Sequence, residues 1–183
     1  LLSQDFPVEE PGGILSPELT EGKVVFRLWA DYASEVLLDG SWLGSARLMQ
    51  KMPGGIWEYH TNGLKPDMYT YSFIVDGVRT ADPNNALSCR DGARMESFFF
   101  VDGPQNDRYK HSAVSGTVMK TSYHSSAFRS ERNFMVYLPA EYAANPDKEY
   151  PVLYLLHDEG GDEESWTNAG KAPQILDHLI RTG

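Results

Sequence analysis

The residue types most able to do chemistry gather in one stretch, YPVLYLLHDEGGDEESW, from Tyr150 to Trp166. His157 can exchange a proton near neutral pH. Gly160 and Gly161 allow backbone N–H groups to come close to a ligand. Asp158, Glu159, Asp162, Glu163 and Glu164 carry the oxygens that calcium or magnesium prefers, but their spacing matches no known cation loop. They read as a solvated acidic loop, and no metal is assigned. The run from Val152 to Leu156 is wholly apolar, which predicts a strand buried on both faces of a parallel sheet, with Pro151 at its entrance. The loop after such a strand is where α/β proteins bind ligands. Beyond it, Ile175, Leu176, Leu179 and Ile180 share one helical face, and Gly183 is placed to cap the helix.

The elements ahead of this stretch read differently. Residues 1–20 form a lead-in arm punctuated by Pro7, Pro11, Gly12, Gly13 and Pro17. From Lys23 to Trp29 the chain alternates, with Val24, Phe26 and Leu28 on one face of a strand. Further strands are expected at 35–39, 46–52, 56–61, 68–75, 78–80 and 97–101. The Pro53-Gly54-Gly55 turn and the Asp76-Gly77 pair close hairpins. About seven short strands at this spacing predict an all-β immunoglobulin-like sandwich over 21–105. Residues 102–112 have linker composition, and 106–183 begin with an antiparallel pair, 116–123 and 133–138, joined by the polar turn 125–132.

Composition limits the possible partners. With 183 residues and 41% hydrophobic content the chain holds one large or two small domains. Its 26 acidic and 16 basic residues leave a formal charge of −10, which argues against a nucleic-acid backbone or an anionic membrane surface as partner. No apolar run is long enough to span a bilayer, and residues 1–20 contain no signal peptide. Cys89, the single cysteine, excludes an internal disulfide and a thiolate metal cluster, and reads as an inert thiol.

Four blocks in order carry a family likeness: NFMVYLPAEY from Asn133 to Tyr142, the Tyr150-Pro151 entry, Leu155-Leu156-His157 with Gly160-Gly161 and Trp166, and Leu176-Asp177 with Leu179-Ile180. Together they resemble the esterase D and feruloyl esterase group of α/β-hydrolases. The resemblance implies serine acyl transfer to water, no cofactor, and an ester substrate on plant cell-wall polysaccharide. It also implies that the loop of His157, Asp158, Glu159, Gly160 and Gly161 supplies half of an oxyanion hole. Asp158, Glu159 and Gly160 are the candidate N–H donors, and His157 orders the loop. The family has glycine where this chain has Asp158 and Glu159. No G-x-S-x-G occurs in the sequence, so no catalytic nucleophile, acid or base is assigned; these are expected beyond Gly183. His60, His111, His124 and His178 follow no nucleophile and are read as structural or solvated.

The first module has a likeness of its own. FRLWADYASEVLLDG, Trp42, GIWEY, the run Tyr69 to Val78 and Asp82-Pro83 resemble early-set modules related to carbohydrate-binding family 48. That resemblance makes Trp29, Trp42 and Trp57 candidate sugar-stacking rings, although Trp57 also alternates with Tyr59 as a core residue. The expected protein is a secreted or periplasmic carbohydrate esterase, of which this chain holds the accessory module and the first part of the catalytic domain. Hydrolysis of an enterobactin-type siderophore, a non-catalytic glycan-binding module and a sheet-edge interaction module are the alternatives.

Overall fold

A computed structural model of the protein describes residues 13–20, 22–110, 112 and 114–182, without the side chains of 105–107. The first twelve residues of the lead-in arm, His111 and the Gly183 cap lie outside the described residues. Among those described, the chain is mostly β-sheet with one α-helix. Ten strands fall between Glu18 and Phe100, three more than the alternation predicts.

They form two antiparallel sheets. The first joins β1 (Glu18–Thr20), β2 (Lys23–Trp29), β6 (Ile56–Asn62) and β5 (Gln50–Lys51), in that order. The second runs β4 (Arg47–Leu48), β3 (Val36–Gly40), β7 (Met68–Val75), β10 (Arg94–Phe100), β9 (Ser88–Asp91), with β8 (Val78–Thr80) also paired to β7. Register explains the shared core. Phe26 faces Tyr59 and Leu28 faces Trp57 across the first sheet. Leu38 faces Phe73 and Phe99 faces Tyr69 across the second. Side chains directly opposite share a sheet face, and all eight join one hydrophobic cluster. Phe26 and Leu38 are fully buried, and each side chain of this kind contributes about 1.5–3 kcal/mol through burial.

Three expectations need correction here. Residues 46–52 are not one strand: Met49, 2% exposed, is the crossing point between β4 on one sheet and β5 on the other. The arm is not featureless, since β1 pairs with β2. The segment before residue 97 contains β9, which closes a hairpin on β10.

A buried polar knot ties the arm to the module. The Asp82 carboxylate accepts hydrogen bonds from Ser16 Oγ at 2.6 Å and Tyr71 OH at 2.7 Å, and the Asp82 N–H donates to Ser97 Oγ. Burial pushes the Asp82 carboxyl above its ordinary range. The folded state therefore holds this proton more tightly than the unfolded one. Its stabilising contribution is complete below the unfolded carboxylate pKa of about 3.9 and is lost as pH rises through the folded value. The difference in unfolding free energy between the parent and Asp82→Asn should fall with rising pH across that window. Urea titrations at a series of pH values would show it; a difference that rises with pH would refute the assignment.

The second half is more open. β11 (Thr117–Ser125) and β12 (Ser130–Leu138) form a two-stranded hairpin from Thr117↔Leu138 to Ser125↔Ser130. The helix α1 (Ala172–Thr182) has Pro173 in its first turn, where a missing N–H costs nothing, and Arg181 in its last turn. Asp177 on α1 accepts hydrogen bonds from Gly116 N–H and Tyr137 OH, both at 2.8 Å, and so anchors the helix to the hairpin. The predicted strand at Val152–Leu156 is not found. The segment forms no strand, and Tyr154 and Leu156 are more than 80% exposed. A strand buried on both faces needs ladder partners and covering helices, and among the described residues no strand pairs with it. Leu179 and Ile180 of α1 are likewise exposed, so the predicted apolar face is only half used.

Candidate functional site

The loop between the apolar run and α1 is built by its own hydrogen bonds. Trp166 Nε1 donates to the carbonyl of Leu156 at 2.9 Å, which fixes the exit of the run against the far side of the loop. Asp162 N–H donates to Ser165 Oγ, and Glu164 N–H to Asp162 Oδ1, a local side-chain turn of the kind Asp favours. Gly161 N–H donates to the carbonyl of Asp158 at 3.3 Å. A Cβ at Gly161 would lie 2.6 Å from Ser165 Oγ, so a larger residue there requires that hydroxyl to move.

Among the described residues, none accepts the N–H of Asp158, Glu159 or Gly160. These three successive donors remain available to an acceptor on a ligand, whereas the Gly161 N–H is already engaged. His157 Nδ1 lies 2.8 Å from the carbonyl oxygen of Asp158. A carbonyl can only accept, so Nδ1 carries the proton and Nε2 of the neutral ring is left as an acceptor.

The acidic residues around the turn are drawn to cations of the protein itself. Asp162 pairs with Arg90 at 3.0 Å, and Glu163 and Glu164 pair with Lys120 at 2.9 and 2.7 Å. The bond from Lys120 holds the Glu163 carboxyl down at about 2. Among the described residues no cluster of three or more His, Cys, Asp or Glu could hold a metal ion.

The loop also touches the first module, which the sequence did not suggest. Gly92 N–H donates to the Gly160 carbonyl at 2.7 Å, and Asn168 Nδ2 donates to the Ser88 carbonyl at 2.5 Å. Lys171 Nζ sits 5.5 Å from the ring centres of both Phe98 and Phe100, and burial lowers its pKa. Asp91-Gly92 was a legible turn signal, but Ser88-Cys89-Arg90-Asp91 lacks the apolar alternation that marks a strand.

The three tryptophans lie far from this loop in sequence and in role. Trp57 is 5% exposed and donates Nε1–H to the Ala30 carbonyl at 2.9 Å, inside the core. Trp42 is half-buried, stacked on Phe26 with centroids 5.4 Å apart and met edge-on by Tyr69 and Phe99. The chain passes directly beneath its ring: a Cβ at Gly40 would fall 2.5 Å from it. Trp29, at the end of β2, is half-buried.

Residues 125–183 match the Esterase family model. The chain is 30% identical to an endo-1,4-beta-xylanase/feruloyl esterase of Xylanibacter ruminicola over 97% of its own length and 25% of the relative's. It is 40% identical to the chloroplastic protein FLOURY ENDOSPERM 6 of Oryza sativa subsp. japonica over 40% of the chain and 14% of that protein. The chain thus spans a quarter or less of the length of these relatives. Its fold is similar to that of the enterobactin esterase of Shigella flexneri, with a TM-score of 0.53 and 15% identity over 90% of this chain and 50% of that one. The family-model match and the xylanase/feruloyl esterase relative support an esterase family for residues 125–183, and the solved structure shows a shared fold. Among the described residues no helix is long and apolar enough to cross a membrane.

Proposed function

We propose that this chain is the accessory module and the oxyanion-loop segment of a serine carboxylesterase acting on feruloyl or acetyl esters of plant cell-wall polysaccharide. The observation that carries the reading is the 30% identity to a xylanase/feruloyl esterase along 97% of the chain, through both halves. In this reading the module is an early-set, immunoglobulin-like domain related to carbohydrate-binding family 48. An insoluble polysaccharide substrate places the enzyme outside the cytoplasm, secreted or periplasmic. A serine presented by a G-x-S-x-G elbow attacks the ester carbonyl. The N–H groups of residues 158–160 then share the negative charge of the tetrahedral intermediate with an N–H beside the serine.

None of the 183 residues lies in such an elbow. The chain by itself should therefore show no saturable turnover of an activated aryl acetate or a feruloyl ester above buffer. Ser115 is the control, since its Oγ is spent on the Ser112 carbonyl. Turnover lost in Ser115→Ala would identify a nucleophile and overturn the assignment. Turnover that survives the substitution would place one elsewhere in the chain.

A second reading, hydrolysis of an enterobactin-type trilactone, is favoured by the fold likeness to an enterobactin esterase along 90% of the chain. Feruloylated arabinoxylan fragments and enterobactin, offered separately to the full-length natural protein, discriminate the two. The polysaccharide reading requires the larger kcat/KM on the feruloyl ester.

A further inference from the structure

We propose that the β9–β10 hairpin of the first module positions the oxyanion loop, so that the accessory module sets the geometry of the N–H donors. This rests on residues 158–160 being those donors, as proposed above. Gly92 and Ala93 form a two-residue hairpin turn between Asp91 and Arg94. Gly92 has φ +62°, as its first position in a type II′ turn requires. Such a turn leaves the Gly92 N–H outside the β9–β10 ladder, and here it donates to the Gly160 carbonyl.

The peptide unit between Gly160 and Gly161 is therefore held at both ends. Its oxygen is bound by Gly92 and its N–H by the Asp158 carbonyl, and because the unit is planar the two bonds together fix its orientation. Gly160 has φ +93°, a conformation other residues rarely adopt, and a Cβ there would meet Asp91 Oδ1 at 3.0 Å and Gly92 N at 3.1 Å. No side chain separates the two backbones. The preceding peptide, which carries the Gly160 N–H, turns about a glycine whose freedom the hairpin removes. Without Gly92 the turn could flip its donors away from a substrate.

The same hairpin holds the loop at further points. Arg90 pairs with Asp162, two residues past Gly160. Ser88 and the ring pair Phe98 and Phe100 hold Asn168 and Lys171, just before α1. The loop is gripped on both flanks of Trp166, while no described residue accepts the three donor N–H groups. Gly92 acts through Gly160 and Arg90 through Asp162, and both are positioning residues.

The test uses Arg90→Glu and, from the opposite side of the contact, Asn168→Ala, with Arg90→Lys as the conservative variant. In the 183-residue chain, amide exchange at Gly92 and Gly161, whose N–H groups are bonded to the Gly160 and Asp158 carbonyls, should speed up by about threefold to tenfold in Arg90→Glu and Asn168→Ala. It should stay near the parent rate in Arg90→Lys, and amides of β2 and β6 should be unchanged in all three. In the full-length natural protein the same two variants should lower kcat by about threefold to tenfold with KM little changed, as misplaced transition-state donors require, and Arg90→Lys should recover most of it. Unchanged loop exchange in both Arg90→Glu and Asn168→Ala overturns the inference and leaves the oxyanion reading to its own test. Faster exchange with unaltered turnover overturns the oxyanion reading, and with it any catalytic role for the hairpin.

Discussion

Replacing Trp57 by alanine should destabilise the first module by about 3–5 kcal/mol, the range for emptying a buried aromatic site. The ring lies in the shared core, opposite Leu28, and its indole N–H satisfies the Ala30 carbonyl. Alanine removes the packing and one of the two hydrogen bonds to that carbonyl, which keeps the Ala33 N–H. Urea unfolding should show a lower midpoint at unchanged m-value, the mark of lost stability rather than an altered denatured state. Trp57→Phe should recover most of the loss, since only the hydrogen bond is then missing, at about 1 kcal/mol. Trp42→Ala should also lower the midpoint, by less, because Trp42 is only partly buried although stacked on Phe26. If Trp42→Ala left the midpoint untouched while abolishing retention on an insoluble polysaccharide, its ring would be a binding platform and not a packing element. A Trp57→Ala variant as stable as the parent would mean that the two sheets do not share the core described.

What could be read from the sequence is what side-chain periodicity encodes. β2 and β7 are visible because Val24, Phe26 and Leu28, and Tyr71, Phe73 and Val75, fall at every second position and so share one face of each strand. The turn between β7 and β8 is visible because Asp76 and Gly77 both take positive φ, 46° and 85°, the type I′ geometry that Asp-Gly favours. β9 is hidden because its role is in main-chain pairing and in the Ser88 carbonyl, neither of which constrains a side chain. Residues 46–52 read as one strand because nothing local to Met49 says that its neighbours pair with different sheets. The opposite failure occurs at Val152–Leu156. An apolar run states a preference for burial, but whether it becomes a strand depends on partners elsewhere in the chain, and among the described residues those are missing. The loop at 157–161 was legible only as a candidate site, from its glycines and its place after that run. Its contact with Gly92 was not, because a bond between two backbones leaves no trace in residue type.

Asp158→Pro in the full-length natural protein should lower kcat by about 10²- to 10³-fold if the Asp158 N–H is an oxyanion donor, since that is the effect of removing one such donor. Proline deletes the N–H and restricts φ at one position, so the melting temperature has to stay near the parent value for the loss to be read as catalytic. Asp158→Gly is the necessary companion. A carboxylate about 6 Å from the developing oxyanion would oppose it by roughly 3 kcal/mol at an effective dielectric of about 20, or about two decades in rate. A working oxyanion site requires the side chain to point away from the reacting carbonyl. Asp158 is exposed, and one carboxylate oxygen lies 3.4 Å from where a Cβ of Gly161 would be. Asp158→Gly should therefore change kcat less than about threefold. A folded Pro variant with full activity would move the donor role to Glu159 or Gly160, whose N–H groups likewise have no acceptor among the described residues. If Asp158→Gly instead raised kcat by about two decades, the carboxylate would have to face the reacting carbonyl.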